Sequence, residues 1–121
     1  MQTEEFIPLT KQTLREILSV RYAARVTSDK DSRRRQPRWP FPGTVELWIT
    51  NREGHDEHIL GRALNLSIAG IGVLMEEYIA EGEQVRIAVH QPEATFLGNA
   101  LVRHTSLTEH GFRVGLEFVF D

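Results

Sequence analysis

The chain has 121 residues and a formal net charge of −3, which fits one domain with one modest core. It contains no cysteine, so disulfides and thiolate metal sites are excluded. No apolar run approaches the roughly 18 residues that span a bilayer, and the opening "MQTEEFIPLTKQ" has neither the basic flank nor the apolar stretch of a signal peptide; the expectation is a cytoplasmic protein with no membrane contact.

The charge is unevenly spread. Residues 21–38 hold Arg21, Arg25, Lys30, Arg33, Arg34, Arg35 and Arg38 against Asp29 and Asp31, a local balance of +5, so the rest of the chain carries −8. A general polyanion binder would be basic over a whole face. A short basic segment on an acidic protein instead suits a local site for a small anion.

In chain order, residues 11 to about 25 read as a helix. Thr10 stands at the capping position, and Leu9 and Leu14 occupy the two positions of a hydrophobic staple. Leu14, Ile17, Leu18 and Tyr22 then form an apolar stripe at helical spacing, which is expected to pack on the domain. Residues 27–43, "TSDKDSRRRQPRWPFPG", read as a linker. Pro37, Pro40 and Pro42 forbid a regular helix and bias their predecessors toward extended backbone.

From Thr44 the period changes to two. "TVELWIT" alternates Val45, Leu47 and Ile49 against Glu46 and Trp48, and "NREG" supplies a turn. "HILGRALN" is a second strand and "GIGVLMEE" a third, after the loop "LSIAG". "QVRIAVH" points Val85, Ile87 and Val89 inward, and "TFLGNALVRHT" is a fifth strand in which Gly98 reads as a bulge. "GFRVGLEFVF" puts Phe112, Val114, Leu116, Phe118 and Phe120 on one face. Six short strands at regular spacing predict an all-β fold, a small closed antiparallel barrel, preceded by the helix.

Two segments carry candidate chemistry. In "RRRQPR" every charge is an arginine. Arginine presents a planar fork that binds phosphate bidentately, reaches the O6/N7 edge of guanine and stacks on a base. Arg34 and Arg38 stand four apart in a non-helical stretch, so they can grip one ligand from two directions. In "NLSIAG", Asn65 and Ser67 sit where side chains commonly bond the local backbone to fix a turn. Asn65 also offers a donor and an acceptor to a base edge, and Gly70 permits an unusual backbone conformation or the close approach of a ligand. The histidines of "HDEH", residues 55–58, fall at a hairpin turn where charge is expected, and His90, His104 and His110 are scattered; no metal site is read from them. No phosphate loop, nucleophile elbow or zinc helix is present, so the chain is read as a non-enzyme with no cofactor.

Taken together, "RRQPR", "NLSIAG" and "VGLEF" resemble the PilZ domain family, whose pattern is RxxxR followed by [DN]xSxxG on a six-stranded antiparallel barrel. Arg34 and Arg38 match the first motif; Asn65, Ser67 and Gly70 match the second. The resemblance covers residues 33 to about 120. It divides the chain into an N-terminal helix and linker, 1–32, and a PilZ-like barrel, 33–121. It implies a bacterial receptor for cyclic di-GMP, in which the two arginines hold phosphates and guanines while the second motif surrounds a guanine. Arg33, just before the motif, is expected to add a contact.

With no output domain recognised, the effector is expected to be a separate, unidentified protein. It would read a repositioning of the helix, with its Leu14, Ile17 and Leu18 stripe, when the arginine segment closes over the ligand. Two rivals are an adaptor barrel that binds protein without ligand and a single-stranded nucleic-acid barrel. The intact motifs count against the first, and the acidic remainder counts against the second.

Overall fold

The computed structural model describes residues 5–26, 39–50, 56–92 and 94–120. Their elements run β1 (Phe6–Pro8), α1 (Lys11–Val26), β2 (Trp39–Thr50), β3 (Asp56–Leu66), β4 (Gly70–Met75), β5 (Gln84–His90), β6 (Thr95–Thr108) and β7 (Gly111–Val119). Strands β2 to β7 pair antiparallel in the order β6-β5-β2-β3-β4-β7, and β6 pairs with β7 to close the barrel. The six expected strands are therefore present, and closure leaves little free edge for another chain to pair with.

The period-two alternation becomes the inside of the barrel. Val85, Ile87 and Val89 of β5, and Val114, Leu116 and Phe118 of β7, are buried. Val45, Leu47 and Ile49 of β2 join them in one continuous core. Ala88 is also buried although it faces away from that core series.

The sequence reading did not anticipate β1. It pairs parallel with the start of β6, Phe6 opposite Thr95 and Pro8 opposite Leu97. The reason is tertiary: β7 leaves β6 at Asn99, so residues 95–97 have a bare edge. The Leu9 amide donates to the Leu97 carbonyl at 2.6 Å, and the Thr95 amide to that of Glu5 at 2.8 Å. Helix α1 begins as expected. The Thr10 hydroxyl accepts the Thr13 amide at 3.1 Å, a capping bond of the kind that contributes about 1 kcal/mol. Leu14 is wholly buried and Leu18 nearly so, both within the barrel's core cluster, with Ile17 packed against it. Tyr22 falls outside the described side chains.

Two local expectations change. Residues 39–43, assigned to the linker, form the start of β2, where Trp39 pairs with Leu66 and Pro40 with Asn65. The register shifts between Pro40 and Gly43, and at such an irregularity a missing proline N–H does least harm. Gly98 is not a bulge, since it pairs in regular register with Ile87. A side chain there would meet Leu9 Cβ at 2.9 Å, so the glycine makes room for the chain entering α1. The bulge in β6 lies instead between Val102 and His104.

Candidate functional site

The second motif sits at the end of β3 and in the turn to β4. Strict alternation from the buried Ile59 and Ala63 would send Asn65 into the core. It does not go there, because β3 carries one extra residue against β4: Ala63 pairs with Val73 and Asn65 with Gly72, leaving Leu64 over. This bulge shifts the phase. Leu66 becomes buried, and Asn65 turns to the outer face. Bulges are a common means of re-aiming a side chain beside a functional site. Gly72 lies on the outer face too, between buried Ile71 and Val73. A Cβ on Gly72 would stand 2.7 Å from Asn65 Oδ1, so this glycine gives the asparagine amide room to lie across β4.

Ser67 fixes the turn. Its Oγ accepts the amides of Ala69 at 3.2 Å and Gly70 at 3.1 Å. Its own amide donates to the Gly70 carbonyl at 2.9 Å. The residue is 7% exposed, so the hydroxyl works within the protein. Gly70 does not take the left-handed backbone that glycine allows, as Gly82 and Gly111 do. A Cβ at Gly70 would lie 2.1 Å from the Leu116 carbonyl oxygen of β7. The close approach is therefore by a neighbouring strand, and Gly70 is the residue that lets the turn dock on β7.

Of the expected site residues, the structure brings Asn65, Ser67 and Gly70 together. Arg33, Arg34 and Arg38 lie outside the described residues. So do His55 of "HDEH" and the turn at residues 51–54. His58, from the same stretch, faces Glu46. Its Nε2 lies 2.9 Å from Glu46 Oε1, and His90 Nε2 lies 2.5 Å from Glu46 Oε2. The hydrogen bond from His90 is the main cause that holds the Glu46 carboxyl below the usual carboxylate range. His58 also stacks on Trp48 with ring centroids 5.1 Å apart, and His90 Nδ1 meets Thr95 Oγ1 at 2.9 Å. The imidazoles thus brace a carboxylate across three strands, and among the described residues no group of three His, Cys, Asp or Glu is arranged to hold a metal ion.

A groove of about 990 Å³ runs over the outside of β2, β5 and β6, lined by Trp48, Glu83, Arg86, Leu97, Asn99 and Val119 among others. None of the motif residues lines it. Volume alone does not make a site, and the turn that Ser67 fixes, with Asn65 on the outer face beside it, is the stronger candidate.

No curated protein matches the chain significantly. Solved structures do. The PilZ domain of YcgR from Escherichia coli, solved with c-di-GMP, is 20% identical with a TM-score of 0.57, over 73% of this chain and 79% of that one. The Bacillus subtilis inhibitor of motility MotI/DgrA is 23% identical with a TM-score of 0.57, over 72% of this chain but only 43% of its own. The PilZ domain of CeSA from a cellulose-synthesising bacterium is 20% identical with a TM-score of 0.54, over 70% of this chain and 82% of that one. At these identities the likeness is one of fold, and the sequence itself supplies the rest. Its residues 32–121, from the arginine segment to the last strand, match the family model of the PilZ domain, and the chain belongs to that family.

Proposed function

We propose that the chain is a non-enzymatic receptor for cyclic di-GMP, which binds the dinucleotide at the outer mouth of the β3–β4 turn and signals to a partner protein. Arg34 and Arg38 clamp the ligand, with Arg33 adding a contact. Asn65 reads a guanine edge. Ser67 and Gly70 act by holding the turn in shape. The ligand chemistry fits: two phosphodiester charges and two guanines are what arginine forks bind and stack on best.

The observation that carries this reading is the bulge at Leu64. It turns Asn65 outward where β3 pairs with the start of β2, Trp39 opposite Leu66 and Pro40 opposite Asn65. Arg38 is bonded directly to Trp39, one Cα step of about 3.8 Å along the chain. The second arginine of the first motif is thus tethered to the strand pair that presents the second. The YcgR PilZ domain, solved with c-di-GMP, supports the choice of ligand.

Calorimetric titration of the protein with cyclic di-GMP, GTP and a short oligonucleotide tests the proposal. Saturable binding of cyclic di-GMP alone is expected. Binding of none of the three would leave only an adaptor role, and preference for the oligonucleotide would overturn the assignment.

A further inference from the structure

The groove over β2, β5 and β6 contains no motif residue, and the receptor reading makes no use of it. Trp48, Leu97 and Val119 line it, Leu97 being 40% and Val119 45% exposed. Cross-strand pairing fixes the arrangement. Trp48 stands opposite Arg86, Arg86 opposite Asn99, and Asn99 opposite Val119. The outer face thus carries an apolar residue on each flank, with Arg86 between them. Apolar surface continues along the same face through exposed Leu60 on β3 and Phe6 on β1. Four of the seven large hydrophobic residues exposed among the described residues therefore lie on one side of the barrel, a concentration that marks an interaction surface.

Two charges stand in the groove without an internal partner. On the same outer surface Glu46 is held by His58 and His90, and Arg103 by Glu117. Glu83 and Arg86 both line the groove, and neither side chain has an ion pair or hydrogen bond among the described residues. They lie three positions apart at the start of β5, roughly 10 Å of extended chain. Gln84, between them, also lines the groove and offers both a donor and an acceptor.

This pattern selects an occupant. A partner of one sign would be attracted at one of the two charges and repelled at the other. A second copy answers both, because a two-fold interface matches a patch with itself. With the axis running across the strands between Gln84 and Val85, Arg86 of each copy faces Glu83 of the other. The two Gln84 amides then face each other, and the apolar flanks of the two copies lie together. Closure of the barrel leaves little strand edge for pairing, so association goes through a face. We infer that the groove is the contact between two copies of this chain, related by a two-fold axis that sets Arg86 of one copy against Glu83 of the other. The inference does not rest on the cyclic di-GMP reading.

Sedimentation equilibrium over about 1 μM to 1 mM protein, the range of a weak to moderate dimer, is the test. Wild type is expected to pass from the mass of one chain to that of two. Arg86→Glu and Glu83→Arg each set like charges face to face, and each is expected to weaken the dimer at least about tenfold. In an equimolar mixture of these two variants every anionic pair meets a cationic one, and mixed dimers are expected near wild-type affinity. Leu97→Gln, which changes no charge, is expected to weaken the dimer about three- to tenfold. Thermal unfolding of the dilute variants should match wild type, because Glu83 and Arg86 make no side-chain bond within the fold. A wild type that stays monomeric throughout overturns the inference, whatever else docks in the groove. So does a dimer that the single variants leave unchanged, which would place the contact on another face. A mixture that associates no better than its components also overturns it.

Discussion

Ser67→Ala separates a turn-building serine from a ligand-reading one. The hydroxyl oxygen accepts two backbone amides, at 3.2 and 3.1 Å, in a residue 7% exposed. Alanine removes both bonds and leaves the amides of Ala69 and Gly70 to find water at a crowded edge. Each such bond contributes about 0.5–1.5 kcal/mol net, so the pair is worth roughly 1–2 kcal/mol once water partly replaces it. The unfolding entropy of a chain this size is about 0.25 kcal/mol/K. Differential scanning calorimetry should therefore show Tm lowered by about 4–8 °C. Cyclic di-GMP affinity should fall as well, because the turn that seats Asn65 loosens. An unchanged Tm with affinity lost would mean that Ser67 bonds the ligand directly, and the account of the turn would be wrong.

Further outcomes follow from the other groups. Arg34→Ala and Arg38→Ala should each weaken cyclic di-GMP binding about 30- to 150-fold, the loss of a charge-assisted contact of roughly 2–3 kcal/mol, with Tm unchanged; wild-type affinity in both would sink the clamp. Cyclic di-AMP carries an amino group where guanine carries O6, leaving arginine donors unpaired, so it should bind at least about a hundredfold more weakly in the same calorimeter. The Glu46 carboxyl is held low in the folded protein, chiefly by its bond with His90. The unfolded chain therefore binds its proton first as pH falls. The stability Glu46 contributes is full above the ordinary carboxylate range and is lost as pH drops through its lowered folded value. Urea midpoints should separate wild type from Glu46→Gln near neutral pH and converge as pH falls below the ordinary carboxylate range; a gap that persists under strongly acidic conditions would refute the bracing role.

The barrel was legible because each of its strands is wet on one side. Half-burial writes a period of two into the residues, and Val85, Ile87, Val89 and the β7 series obey it. What stayed hidden was decided by neighbours distant in sequence. β1 exists because β7 leaves β6 at Asn99, a fact of three-dimensional pairing. The opening of β2 was masked by Pro40 and Pro42, which read as linker until the register shift beside them is seen. Gly98 looked like a bulge because glycine often marks one, but it answers Leu9 across a contact of 89 positions. The motif residues were legible as identities. Their aim was not: alternation alone points Asn65 inward, and no feature of the sequence marks Leu64 as the extra residue.

How the signal leaves the barrel is constrained by α1. A partner that read the Leu14, Ile17 and Leu18 stripe would need the helix to lift away. In the structure Leu14 is 0% and Leu18 6% exposed, inside the barrel's own core. Exposing two buried leucines costs about 3–6 kcal/mol. A ligand bound at micromolar affinity releases about 8 kcal/mol in all. Undocking the helix would thus weaken ligand binding by roughly two to four powers of ten. A receptor working that way would sense its ligand only at concentrations far above the intrinsic affinity of the site. The cheaper route keeps α1 docked and changes only the surface where ligand and barrel meet, between the start of β2 and the β3–β4 turn. On the receptor reading proposed above, that surface, and not the apolar stripe of α1, is the one a partner protein would read.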